Sequence, residues 1–241
     1  VINQRWVMYS LFIGLTLGGV PVVWRMARPA TPGMIVAAII ALGLMIGLAL
    51  LQLYGVVGGG QGSFPMLFIA GTVRASAMIL PGLSGGYLLL LLGQYLPILS
   101  AIDQFKDALR DRDLSAAMSP ALSVMLPVGI GVLVGIAVVG NLLQWCLRTF
   151  PKATLGALLG LLVGSLAGLW PFQVGVPPEI GDTVKGMVVT AESLGGIDAE
   201  DWPTQFFSPT TVQAISSLGL VVTGFAITMG IAMIGREKPS A

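Results

Sequence analysis

The chain has 241 residues, of which 55% are hydrophobic and 10% are charged, and its formal net charge is +1. Soluble globular domains carry about 25% charged residues, so the composition excludes that class and indicates an integral membrane protein. Without histidine, and with Cys146 as its one cysteine, the chain has no internal disulfide and lacks the commonest metal ligand. We therefore expect no metal site and no cofactor, and we expect no nucleic-acid partner.

Apolar runs divide the chain, and a helix needs about 20 residues to cross a bilayer. The runs lie at residues 6–24, 34–53, 64–80, 87–102, 120–147, 153–170 and 211–234. The third and fourth runs are short, and the segment between them, residues 81–86, reads PGLSGG. We predict that residues 64–102 form a re-entrant hairpin with this segment at its tip, because broken helices within a membrane line binding sites.

A loop at residues 171–209 separates the last two runs and holds six acidic residues against one lysine. We predict an acidic external loop rather than a further domain. The chain begins at Val1 and enters an apolar run without the basic segment or cleavage site of a signal peptide. We expect its natural start to lie upstream.

Two parts of the chain resemble each other. Residues 14–19, GLTLGG, match residues 160–165, GLLVGS, and each is followed at the same distance by a tryptophan. Residues 31–44 echo residues 208–220 with one residue of slip. Glycine-rich membrane helices also resemble each other by chance, but two matches in the same order favour duplication. Residues 1–53 would be the remainder of a first repeat with two helices, and residues 64–234 the second repeat.

The basic residues predict the direction of each crossing. If the C-terminal end is cytoplasmic, four further cations near the ends of runs lie on that side, and the acidic loop lies outside. Those cations are Arg25, Arg28, Arg148 and Lys152. The matched runs then cross in opposite directions, as in the inverted repeats of secondary transporters. The predicted fold is an all-α, multi-span helical bundle with inverted repeats and a re-entrant hairpin.

Arg74 is the only charged residue within the apolar runs. An arginine at the centre of a bilayer costs at least about 3 kcal/mol, so it needs a partner. No carboxylate of this chain lies within an apolar run. The alternatives are an anionic substrate, backbone carbonyls, an upstream carboxylate or lipid headgroups. We favour a role in binding substrate or lining a pore.

The PGLSGG segment predicts an anion site next to Arg74. Proline ends the first arm, and the glycines let backbone N–H groups converge where a new helix begins. Together with the guanidinium and a serine hydroxyl, these groups suit a phosphate or carboxylate. The alternative is a helix-breaking loop at the membrane surface. The predicted substrate-binding residues are Arg74, Pro81, Gly82, Ser84, Gly85, Gly86 and Tyr87.

Residues 82–86 also satisfy the G-x-S-x-G pattern of serine hydrolases. The nucleophile in such enzymes needs a neighbouring base. The chain has no histidine, and no lysine lies in an apolar run. We therefore predict that the protein is not an enzyme, and we retain an intramembrane serine hydrolase only as a third alternative.

Residues 77–95, AMILPGLSGGYLLLLLGQY, resemble the signature of the bacterial polyprenyl-phosphate transporter family, PopT. Residues 151–165 are similar to a second characteristic block of that family, and the resemblance covers most of the chain. An A-D-x-x-P-G-x-S-G-G block of the first half of such proteins is absent here, and Met78 stands where its aspartate would align. The chain therefore looks like an N-terminally truncated member. The resemblance implies that the missing aspartate is a partner for Arg74.

The resemblance implies a multi-pass carrier in the bacterial cytoplasmic membrane. Such a carrier returns undecaprenyl phosphate from the outer to the cytoplasmic leaflet, where this lipid carrier of cell-wall precursors is used again. Because no carboxylate lies in the apolar runs of this chain, the sequence leaves open whether transport is coupled to protons or sodium. The alternative function is an anion channel or small-anion exchanger with the same broken-helix geometry.

Overall fold

The computed structural model describes residues 5–54, 58, 62–80, 84–166, 169–184, 187–191 and 202–234. Helices make up most of this part, which confirms the predicted all-α class of membrane protein. The helices are α1 (Arg5–Ala27), α2 (Pro32–Leu53), α3 (Phe64–Ile79), α4 (Gly85–Leu91), α5 (Tyr95–Arg110), α6 (Leu114–Pro120), α7 (Leu126–Thr149), α8 (Pro151–Ser165) and α9 (Thr211–Ile234). A π-helical segment, Ala121–Met125, joins α6 to α7.

In the described part, four helical segments are long and apolar enough to cross a membrane. They are Arg5–Ala27, Pro32–Gln52, Leu114–Thr149 and Thr211–Ile234. The third begins before the predicted run at 120–147, because Asp113 caps α6 by accepting hydrogen bonds from the amides of Ser115 and Ala116, both at 3.0 Å. Polar residues at the beginning of this segment hide its start from a search for apolar runs.

Helix α8 is shorter than the run predicted at residues 153–170, since it ends at Ser165. Gly168 and Pro171 follow soon afterwards, and both residue types disfavour helix. The loop after α8 also contains short strands, which the sequence analysis did not predict. They are β1 (Gln173–Gly175), β2 (Thr183–Val184), β3 (Met187–Val188) and β4 (Thr204–Phe206). β1 pairs antiparallel with β4, and β2 pairs with β3.

The fourth apolar run is broken rather than continuous. Helices α4 and α5 meet at an angle of 110°. Gly93, between them, has a φ of 67°, a left-handed conformation that glycine adopts without steric penalty. The amides of Gly93 and Gln94 donate to the carbonyls of Leu90 and Leu89, both at 2.9 Å, and so close the end of α4. The re-entrant hairpin at 64–102 stays a prediction, now with a bend inside its second arm.

The chain forms two compact units. The first consists of Val1–Ala49, Phe150–Val184 and Val188–Ala241, and the second of Leu50–Thr149 and Lys185–Met187. In the second unit α3 packs closely on α7. The Thr72 hydroxyl donates across this contact to the Gly131 carbonyl at 3.1 Å. Small residues at such contacts let membrane helices approach closely enough for dispersion and hydrogen bonding to hold them.

In the first unit, helices α1 and α8, which contain the matched segments 14–19 and 160–165, run in opposite directions. At one end of α1, the Arg5 guanidinium lies against Gly175, which follows α8 in the chain. At the other end, Lys152 in the first turn of α8 donates to the carbonyl of Ala27 at 2.9 Å. Helices α1 and α8 are therefore antiparallel, as the inverted-repeat prediction requires. The duplication itself stays a prediction.

Two pairs of helices in this unit pack through small residues that recur every four positions. Ser10, Gly14 and Gly18 of α1 contact Ser217, Val221 and Thr228 of α9. Gly156, Gly160 and Gly164 of α8 contact Met34, Ala38 and Met45 of α2. Met34 thus takes the place that corresponds to Ser217, whereas the sequence match aligned Ala41 with it. The two alignments differ by seven residues, about two helical turns, and apolar helical sequences look alike after each heptad.

Candidate anion-binding site on α3 and α4

Arg74 lies beside the first residue of α4. A Cβ atom built on Gly85 would be 2.9 Å from both Cδ and Nη1 of Arg74. Helix α3 directs the arginine toward α4, and the absence of a side chain at Gly85 leaves room for the guanidinium against the backbone. The structure therefore brings together two of the residues that the sequence analysis assigned to one site.

Arg74 is exposed, although it belongs to an apolar helix. Within the described residues it has no hydrogen bond and no ion pair. An unpaired guanidinium on the side of a membrane helix is costly in lipid. The side chain is accordingly available to an anionic partner that this part of the chain does not supply.

Ser84 and Gly86 flank the contact between Arg74 and Gly85. Ser84 caps α4, and its hydroxyl oxygen accepts a hydrogen bond from the Tyr87 amide at 3.3 Å. Its hydroxyl hydrogen is still free to donate to an anion. A Cβ built on Gly86 would have no atom within 4 Å, so open space lies on that side of the helix. Because α4 has only seven residues, Arg74 supplies most of the positive charge here.

Tyr87 is the last residue of the predicted group, and its hydroxyl is a buried polar atom. Its side chain is 7% exposed. Among the described residues its buried hydroxyl has no hydrogen-bond partner. A buried hydroxyl without a partner destabilises a fold by about 1–3 kcal/mol, so its retention asks for an explanation such as a bound ligand.

Gln94 is a polar residue that the sequence analysis missed. It is fully buried at the bend after α4, where its side-chain amide donates to the Leu92 carbonyl at 3.2 Å. The sequence contained a signal for this residue, because Gln94 carries a polar amide side chain within the apolar run that begins at Tyr87. It holds the bend that directs α5 away from α4, and we assign it no contact with the anion.

Two predicted site residues, Pro81 and Gly82, lie outside the described residues. Their roles stay predictions. Ser84 acts as a helix cap, and no histidine, lysine or carboxylate contacts its hydroxyl in the described part of the chain. No cluster of metal-ligating side chains occurs there either. The described group offers hydrogen-bond donors, the type of group that an anion requires.

The chain is similar to known bacterial proteins. It is 27% identical over 231 residues to a protein of Vibrio cholerae serotype O1 named polyprenyl-phosphate transporter, a match covering 93% of this chain and 65% of the relative. It is 34% identical over 140 residues to a protein of the same name from Staphylococcus aureus, covering 56% of this chain and 45% of the relative. No solved structure matches the chain.

The chain thus spans less than two thirds of the length of these relatives. A family model described as VCA0040-like, undecaprenyl phosphate translocase-like, matches residues 1–180. This match covers most of the chain and includes Arg74, the PGLSGG segment and α8. The chain is a multi-pass membrane protein that belongs to the VCA0040-like, undecaprenyl phosphate translocase-like family.

Proposed function

We propose that the protein translocates polyprenyl phosphate across the bacterial cytoplasmic membrane. In this proposal undecaprenyl phosphate moves from the outer to the cytoplasmic leaflet, where the lipid carrier is reused. The membership of the family and the names of two relatives support this substrate. The protein acts as a carrier by alternating access, not as an enzyme.

The observation that carries the proposal is the Arg74 guanidinium, which lies against Gly85 and has no ion pair in the part of the chain that the structure describes. A lipid phosphate loses its hydration when it enters the apolar part of a membrane, and an arginine there lacks a counter-charge. Each group offsets the unfavourable desolvation of the other. Arginine also matches phosphate geometry by donating two parallel hydrogen bonds.

The other predicted residues have defined tasks in this site. The Ser84 hydroxyl and the Tyr87 hydroxyl donate to phosphate oxygens, and the backbone at Gly85 and Gly86 approaches the headgroup closely because no side chains intervene. Pro81 and Gly82 belong to the same turn on sequence grounds. The polyprenyl tail remains in lipid throughout, so no apolar tunnel is required.

The test is the flux of a fluorescent short-chain polyprenyl phosphate in proteoliposomes. Arg74→Gln should lower the rate about tenfold or more, because a charge-assisted hydrogen bond contributes about 1.5–3 kcal/mol. Ser84→Ala should lower it less, since the hydroxyl is neutral. Arg148→Gln, the same change at the exposed end of α7, is the control and should leave the rate unchanged. Unaltered flux in both site variants would remove the proposed site.

Direction and coupling need separate arms of this assay. Substrate supplied only in one leaflet measures the direction of transport. Imposed proton or sodium gradients decide whether either ion is coupled, and an unaltered rate under both gradients would mean uncoupled movement.

An anion channel or small-anion exchanger is the alternative that this assay must separate. Ligands that clamp the polyprenyl phosphate headgroup should inhibit lipid flux. Flux of a small anion that is insensitive to such ligands, and equally dependent on Arg74, would favour the alternative.

A further inference from the structure

A cleft of about 210 Å³ lies between α1 and α9 in the first unit, near the C-terminal ends of both helices. Its lining consists of five apolar residues and one cation. These are Val22, Arg25 and Met26 from α1, and Met229, Ala232 and Met233 from α9. The cleft combines a charged end with an apolar wall, as an amphiphile requires.

The cleft lies where the face of α1 that packs on α9 changes from glycine to larger residues. At Gly18, a Cβ would come within 2.6 Å of the Thr228 Cβ, so the two helices are in close contact. One turn later the same face of α1 carries Val22. A β-branched side chain needs more room than the glycine contact at Gly18 leaves, and the cleft lies where Val22 takes the place of glycine.

The cations at this end of α1 differ in their partners. Lys152 donates to the carbonyls of Ala27 and Arg28. The Arg28 guanidinium lies 6.0 Å from the centre of the Trp24 ring, within range of a cation–π contact. Arg25, by contrast, is exposed and has neither a hydrogen bond nor an ion pair within the described residues.

No carboxylate in the described part of this unit lies at the Arg25 end. Its two described acidic residues, Glu179 and Asp182, belong to the loop after α8, and the Arg5 end of α1 contacts that loop at Gly175. The opposite end of α1 therefore has a net positive charge in the described structure. An anion from outside this group of residues is the complementary partner.

We propose that this cleft binds an anionic phospholipid of the surrounding bilayer. The lipid phosphate pairs with the Arg25 guanidinium, which matches it in charge and in bidentate geometry. One acyl chain lies along Met26, Met229 and Met233, because unbranched methionine side chains adapt to irregular apolar surfaces. Met26 and Met233 are 65% and 60% exposed, so lipid chains reach them directly.

This site is separate from the proposed transport site, which belongs to the other unit, and does not rest on the proposed function. It is a resident-lipid site rather than a stage of transport. Its ligand is a glycerophospholipid with a net negative headgroup, of the phosphatidylglycerol class. A zwitterionic phospholipid offers the same chains but no net charge to pair with Arg25, so the two classes should differ in affinity.

The test is native mass spectrometry of the detergent-purified protein titrated with phosphatidylglycerol or phosphatidylcholine of the same chain length. Arg25→Gln should raise the Kd for phosphatidylglycerol about tenfold, the effect of one lost charge-assisted contact. The matched control is Arg28→Gln, the same change of charge three residues further along the chain, and it should leave this Kd within about twofold. Ala232→Trp keeps every charge but fills the cleft, and it should weaken binding as well.

Several results would overturn the proposal. Equal affinity for the two lipid classes would show that the headgroup makes no specific contact. Equal losses of phosphatidylglycerol affinity in Arg25→Gln and Arg28→Gln would show that binding depends only on the general surface charge. Unaltered binding in Ala232→Trp would place the lipid outside the cleft. Displacement by a short-chain polyprenyl phosphate, with the same dependence on Arg25, would assign the cleft to the transported lipid. Thermal unfolding in detergent alone verifies that each variant is folded.

Discussion

Arg74 packs against Gly85, where an added Cβ would lie 2.9 Å from the arginine's Cδ and Nη1. A methyl group at this position must therefore displace the guanidinium, although the long side chain can move without unfolding the helix. This relationship between one cation and one glycine makes the candidate site testable by small substitutions.

Gly85→Ala should lower polyprenyl phosphate flux about tenfold while the protein remains folded, because the displaced guanidinium loses its phosphate geometry. Gly140→Ala, in α7 of the same unit, is the matched control. Its new Cβ meets open space, so flux should stay within about twofold of the wild type. Proteoliposome flux and thermal unfolding measure the two effects. Equal rates in the two variants would contradict a role for the contact.

Tyr87→Phe should lower flux without lowering stability. The buried hydroxyl has no partner among the described residues, so its removal takes away no described contact and relieves a penalty of up to about 1–3 kcal/mol. Tyr54→Phe, at a tyrosine that is 80% exposed, is the control for loss of a hydroxyl. A clear fall in the unfolding temperature of Tyr87→Phe would instead indicate a structural hydrogen bond.

Lys152→Met should destabilise the protein by about 1–3 kcal/mol. The ammonium donates to the carbonyls of Ala27 and Arg28, which end α1 and would otherwise lack partners. Lys106→Met removes only an exposed pair with Asp103, and such pairs contribute at most about 1 kcal/mol. Chemical denaturation of both variants tests this difference. Similar losses would show that the Lys152 contacts add little.

Gly14→Ala should destabilise the first unit, because its Cβ would collide with the backbone of Val221 on α9. Overpacking of a close helix contact costs about 1–3 kcal/mol or more when backbone must move. Gly43→Ala meets open space and should preserve or raise stability, since alanine favours helix. Tryptophan fluorescence during heating would measure both. An unaffected Gly14→Ala variant would argue against the α1–α9 contact.

The cap at Asp113 predicts a pH dependence. The Ser115 hydroxyl, and then the Ala116 amide, hold the pKa of this carboxyl below its ordinary value. A lowered folded-state pKa stabilises the fold above the unfolded value of about 3.9, and this contribution is lost as the pH falls through the folded value. Asp113→Asn retains a capping oxygen that does not titrate.

The wild type should therefore lose stability relative to Asp113→Asn as the pH falls from about 5 through the unfolded value of about 3.9 and on toward the lower folded value. Unfolding temperatures of both proteins across this interval provide the measurement. A constant difference between them would mean that the cap does not depend on the charge of Asp113.

Local properties of the chain were enough to predict the class of protein, most of its helices and the residues of the candidate site. Hydropathy and length are local properties, so they predicted a membrane-spanning run at residues 211–234, where α9 lies. The charge of Arg74 within an apolar run, and the glycines after it, were likewise readable without any contact. The family resemblance rested on this same segment.

Tertiary structure decided which of these residues meet. Three features depend on the packing of separate segments. They are the contact of Arg74 with Gly85, the 110° bend between α4 and α5, and the hydrogen bond from Lys152 to the end of α1. Apolar helices resemble each other at every heptad, so the sequence match placed Ala41 where packing places Met34. Close contact between backbones selects one register, because only certain positions lack a side chain.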